Sequence, residues 1–168
     1  MKSKKLLSII LALAMMFSVL PASTVLVYAD VITETISADT TWNDGDTVGG
    51  VTISGGTVTI NGDVGITAAI TIKGDVTFTG GGTLNRMSTS GNLIKVESGS
   101  LTLGNVTIDG NDVIISDSGA VAAINMADGT VIMNDGAKIT NHKRTSGYGP
   151  AVYMAGGNFK MKGGTISG

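Results

Sequence analysis

The side chains best suited to chemistry fall in two stretches. His142-Lys143-Arg144, followed by Tyr148, is the one cluster of mixed catalytic potential. An imidazole there can act as a base, and a Lys or Arg can hold a carboxylate, a uronate's for example, through charge-assisted hydrogen bonds. The other stretch holds Asp109, Asn111, Asp112 and Asp117. Paired-carboxylate catalysis needs two carboxyls ~5–10 Å apart, and no second acidic set occupies the same slot in a neighbouring repeat. Asp135 is the nearest later carboxylate, and a turn position explains it equally well. The sequence therefore favours a solvated loop on an otherwise acidic protein for the basic cluster. Asp109, Asn111, Asp112, His142, Lys143, Arg144 and Tyr148 stand as candidate binding residues along a loop edge, with no catalytic residue and no metal ligand assigned.

Other chemistries lack their motifs. There is no Gly-Gly-x-Gly-x-Asp calcium repeat, no phosphate loop and no serine nucleophile motif. No cofactor is implied, and calcium has no support in the residues. The chain contains no cysteine, which removes disulfides, thiolate metal sites and a lipoprotein anchor together.

Lys2, Lys4 and Lys5 precede an apolar run from Leu6 to Leu20, and Val27-Tyr28-Ala29 resembles a cleavage site. Residues 1–29 are therefore expected to be an export signal, with the mature chain starting at Asp30. The apolar run is shorter than the ~20 residues that span a bilayer, and Pro21 breaks it, so no stable membrane insertion is expected after cleavage. Removing the leader takes three of the 11 Lys and Arg and none of the 13 Asp and Glu, leaving a formal charge of −5. That mildly acidic balance argues against nucleic acid as a partner and fits a secreted, extracellular or cell-wall-associated protein. Charged residues make up 14% of the chain against a typical ~25%, and its 25 glycines are about twice the usual share.

A repeat explains this composition. One apolar pattern, hydrophobic-x-hydrophobic-x-x-Gly-x-hydrophobic-x-hydrophobic, recurs four times. Its clearest copy is Ile94 to Leu103 around Gly99. Further copies use Val51, Ile53, Gly56, Val58 and Ile60; Ile124, Met126, Gly129, Val131 and Met133; and Val152, Met154, Gly157, Phe159 and Met161. A fifth, with Ile70, Ile72, Gly74, Val76 and Phe78, fits when one residue is dropped before the glycine. A later apolar position follows in each unit at Ile66, Leu84, Ile108, Ile139 and Ile166.

Strict alternation marks short strands with one buried face. Strands of four or five residues bury too little alone, so the units must stack, each pairing in parallel with its equivalent in the next. Ile53, Ile72, Val96, Met126 and Met154 are expected in one interior column, and Val58, Val76, Leu101, Val131 and Phe159 in another. Each such buried side chain contributes ~1.5–3 kcal/mol. The glycine marks a corner whose backbone angle disfavours a Cβ. Alternating threonines such as Thr57, Thr59, Thr77, Thr79 and Thr102 face outward, where β-branching suits strand geometry.

The expected architecture is thus all-β: a right-handed single-stranded parallel β-helix of about five coils over residues 48–168. Residues 30–47, with Trp42, are read as an N-terminal capping segment. Because Gly164-Thr165-Ile166-Ser167-Gly168 ends within a coil, the sequence reads as truncated, with further coils beyond. The variable loops run from Asn85 to Asn92, Gly110 to Ala120 and Asn141 to Gly149. Stacking projects them along one edge, the best candidate for a binding surface.

From Val48 to Gly168 the repeats resemble the pectate-lyase-like superfamily of right-handed parallel β-helices. Gly163-Gly164-Thr165-Ile166-Ser167-Gly168 and Val106-Thr107-Ile108-Asp109-Gly110-Asn111 are similar to phrases in large surface proteins of Gram-positive bacteria and in polysaccharide-degrading enzymes. The resemblance implies fold more than activity, since that superfamily spans lyases, hydrolases, adhesins and non-catalytic modules. Its lyases use clustered acidic calcium ligands with an Arg or Lys base, and its galacturonan hydrolases use converging aspartates. The expectation is a structural, adhesive or carbohydrate-binding surface module whose partner is an extracellular polysaccharide or cell-surface glycan. The alternative is the N-terminal part of a polysaccharide lyase or glycoside hydrolase whose catalytic coils lie beyond residue 168.

Overall fold

The computed structural model describes residues 31–117, 121–145 and 150–168. The expected leader at 1–29 and Tyr148 lie outside these residues. Among the described residues there is no helix; all regular structure is short β-strand.

Alternation dictates how the strands assemble. Ile94-Lys95-Val96 and Ser100-Leu101-Thr102-Leu103 bury every second residue, so each strand offers one apolar edge and must find equivalents above and below. It does so in parallel throughout, building a seven-stranded sheet, a ten-stranded sheet and a two-stranded one. In the seven-stranded sheet, Val31–Ile32, Thr47–Val48, Asp63–Ile66, Thr83–Arg86, Thr107–Asp109, Lys138–Thr140 and Thr165–Ile166 follow one another in chain order. Each returns beside its predecessor after an excursion through the ten-stranded sheet. The chain is a parallel β-solenoid around one apolar core.

The first interior column is as expected: Ile53 faces Ile72, Ile72 faces Val96, and Met126 lies between Val96 and Met154. All but Met154 are fully buried; Met154, on the outermost rung described, is 46% exposed. Ile36 extends the column one rung earlier. The segment 30–47, expected as a cap, carries strands of these same sheets from Val31 onward, and Trp42 packs inside against Phe78 with ring centroids 6.1 Å apart.

Two assignments change. Val76, Leu101, Val131 and Phe159 do share a column, but Val58 faces Phe78, while Gly56 faces Val76. The register shifts after Ile53 because Lys73 and Gly74 provide one residue more than the opposing strand. A single-residue slip of this kind moves every downstream partner. Likewise Val64, not Ile66, faces Leu84; Leu84, Ile108, Ile139 and Ile166 follow in line, and Ile66 faces Arg86.

Candidate functional site

Strands ending at Arg86, Asp109 and Thr140 lie side by side in one sheet, so the insertions that leave them emerge on one edge. Asn111, Asp112 and Asn141 carry the chain off the sheet with φ of 52°, 53° and 56°. This is the left-handed region, which short polar side chains tolerate best. The second and third insertions then pair with each other: Ile114–Ile115 runs parallel to Lys143–Arg144, a ladder no local pattern announced.

Polar side chains lace the insertions together. The Asp109 carboxylate accepts from the Asn111 backbone N–H at 2.6 Å and from Asn141 Nδ2 at 3.1 and 3.2 Å. Arg144 donates to the backbone carbonyls of Asp117 (2.8 Å) and Val121 (3.1 Å). The Asp117 carboxylate accepts from the Gly91 N–H at 2.7 Å, and Arg86 Nη1 donates to the carbonyls of Gly91 and Ser88 at 2.9 and 3.2 Å. Lys143 and Asp112 form an exposed ion pair at 2.8 Å, an arrangement worth at most ~1 kcal/mol.

Beneath this lacing lie two buried polar side chains. Arg86 is 1% exposed and His142 5%. Among the described residues, neither Nε nor Nη2 of Arg86 finds a hydrogen-bond acceptor, and neither ring nitrogen of His142 has a partner of hydrogen-bonding geometry. Burial pulls the Arg86 pKa down, and the nearby Asp117 carboxylate opposes that shift. Burial likewise lowers His142, to about 4, and the Arg86 charge adds to the effect; the Asp109 carboxylate and the Ile108 carbonyl act against it. At neutral pH the interior thus holds a guanidinium beside an uncharged imidazole.

This arrangement carries a pH dependence of definite sign. The unfolded imidazole titrates near 6.5, so as pH falls from about 6.5 to about 4 the unfolded chain takes up a proton that the native chain refuses. Stability should be complete above that window and fall by about 3 kcal/mol across it. His142 is the only histidine, so urea denaturation followed between pH 5 and pH 6.5 reports on it. His142→Phe should flatten the profile between pH 5 and 6.5, above most carboxylate titration; an unchanged slope there would mean that the ring is solvated.

The structure therefore separates the expected site residues. Asp109, Asn111, Asp112 and Lys143 meet at the edge, Arg144 is directed at backbone carbonyls, and His142 points inward. A groove of about 600 Å³ is lined by Ile114, His142, Lys143, Arg144, Thr145 and Pro150, with His142 only 5% exposed. Arg86 is absent from the candidate residues, and Asp117 enters the sequence reading only as a carboxylate near Asp109 and Asp112. Period-two alternation was the available signal for Arg86: Leu84 points inward, and so must the residue two positions on. Comparison with family models, with curated proteins and with solved structures yields no match.

Proposed function

We propose that the chain is a secreted or cell-surface module with a structural, adhesive or carbohydrate-binding role, built on a right-handed pectate-lyase-like β-helix of about five coils. The observation that carries this reading is the inward placement of His142. The one imidazole able to act as a base is almost wholly buried, at 5% exposure, and held uncharged beside Arg86. The neighbouring Arg144 is engaged by backbone carbonyls, and Lys143 by Asp112. Side chains in these roles stabilise an edge and have little capacity left for turnover. The basic and apolar start of the sequence favours export, and the acidic net charge favours a glycan over nucleic acid as partner.

Incubating the full chain with cell-wall polysaccharides tests the reading. Co-sedimentation with insoluble glycan or intact cells, without release of unsaturated or reducing sugars, is the expected result. Sustained release of oligosaccharide would identify a lyase or hydrolase and overturn it.

A further inference from the structure

Outward positions of the seven-stranded sheet run Thr47, Gly65, Asn85, Asp109 and Thr140 across neighbouring strands. Gly65 interrupts a column of polar side chains, and the fold does not require a glycine there. Its φ is not positive, and the nearest backbone atom to a Cβ at that position would be the Asp46 carbonyl oxygen, 3.8 Å away. Only the Met87 side chain occupies the space, and Met87 is 59% exposed and able to swing aside. Glycine inside a strand costs about 0.5–1 kcal/mol relative to alanine, and it commonly marks a place where a ligand or another backbone comes close. No other backbone comes close here.

Beside this position lies a groove of about 430 Å³ bordered by Asp46, Asp63, Asn85, Met87 and Asn111, within the size range of small-ligand sites. Its polar groups are largely uncommitted. The Asp63 carboxylate and the Asn85 amide make no hydrogen bond with any described residue. Among the described residues, Asp46 uses only Oδ2, on the Asn43 N–H, and the Asn111 side chain uses only Nδ2, on the Arg86 carbonyl. Two carboxylates line the groove and no Lys or Arg does, so its field favours a cation and opposes a uronate. Met87 supplies an apolar surface among these hydrogen-bonding groups.

We propose that this groove binds an amino-sugar residue of a glycan. The sugar ammonium lies against the Asp63 carboxylate, ring hydroxyls meet Asn85 and Asn111, and the apolar face of the ring covers Met87. This deepens the glycan-binding reading given above and rests on it, and it places the contact where Asn85, Met87 and Asn111 of the insertion edge meet the strand that carries Gly65.

Calorimetric titration of the full chain with a glucosamine tetramer, its N-acetylated counterpart and a galacturonate tetramer provides the test. The glucosamine tetramer should bind about tenfold or more tightly than either of the others, the scale of one charge-assisted contact. Gly65→Thr restores the polar column with a strand-favouring residue, so it should keep or raise Tm while weakening glucosamine binding about tenfold or more. Asp63→Asn should abolish the preference for the free amine over the acetylated sugar. Undiminished binding by Gly65→Thr, a preference for galacturonate, or no binding of the glucosamine tetramer overturns the proposal. Galacturonate binding that survives Gly65→Thr would do so while leaving a glycan-binding module intact. Release of reducing sugar would instead remove the non-catalytic reading, whatever the groove does.

Discussion

Replacing Val96 with aspartate should unfold the chain or remove about 4–5 kcal/mol of its stability, whereas aspartate at the adjacent Lys95 should change stability by no more than about 0.5 kcal/mol. Val96 is fully buried between Ile72 and Met126. A carboxylate there meets hydrocarbon from the rungs on either side, with no donor supplied by the column, and an unpaired buried charge is among the costliest single changes available. Lys95 projects from the opposite face of the same strand. Urea midpoints for the two variants measure the difference directly. Similar losses from both would mean that the strand does not have one wet and one dry face.

Gly99→Ala should cost about 2–5 kcal/mol, more than the backbone angle alone demands. Asp75 faces Ser100, Ser100 faces Thr130, and Thr130 faces Asn158, so the preceding glycines 74, 99, 129 and 157 stack in a line. Gly99 has φ of 72°, an angle that costs an L-residue roughly 1–2 kcal/mol. Its added Cβ would also stand 2.7 Å from the Cα of Gly74 and nearer still to its carbonyl, forcing two rungs apart at a further ~1–3 kcal/mol. Gly50→Ala is the matched control, since Gly50 has φ of 73° with nothing within 4 Å of the added carbon. It should lose only the angular part. Equal losses at Gly50 and Gly99 would contradict the glycine stack.

These two variants probe features that were legible in the residues. Alternation fixes which face of a strand is apolar, and recurrence at similar intervals fixes which strands are equivalent. The column Ile53, Ile72, Val96, Met126, Met154 and the glycine slot at 74, 99, 129 and 157 follow from those two facts, whereas Gly56, expected in the same slot, faces Val76. Register within an equivalent pair is a different matter. Val58 was misplaced by one pleat because the residue added at Lys73-Gly74 shifts everything after it, and the pattern does not say on which side of the corner the shift is absorbed. The count of five or six residues from the previous strand selects Ile66, whereas Val64, nearer that strand, is the residue opposite Leu84.

The insertion edge was legible as a place more than as an arrangement. Its three loops were visible as departures from the repeat. The parallel pairing of Ile114–Ile115 with Lys143–Arg144, and the bonds that Gly91 and Arg144 make to Asp117, join residues about 25 to 30 positions apart, which no local signal encodes. His142 belongs to a polar run in the sequence and yet lies under that lacing. Similarly, Gly65 resembles any other glycine of the chain until the structure shows that no backbone near it needs the space.

The most direct test of the solenoid uses the absence of cysteine from the chain, which makes any introduced pair unambiguous. Thr77 and Thr102 face each other on adjacent strands and both point outward, so their Cα atoms are ~4.8 Å apart, within disulfide reach. Ser100 faces Asp75 and is diagonal to Thr77 at ~7–8 Å, beyond easy reach. Under mild oxidation, the double variant Thr77→Cys with Thr102→Cys should crosslink nearly completely within the monomer, and Thr77→Cys with Ser100→Cys should remain largely reduced. Preferential crosslinking of the second pair, or none in either, would contradict the register on which every other placement depends.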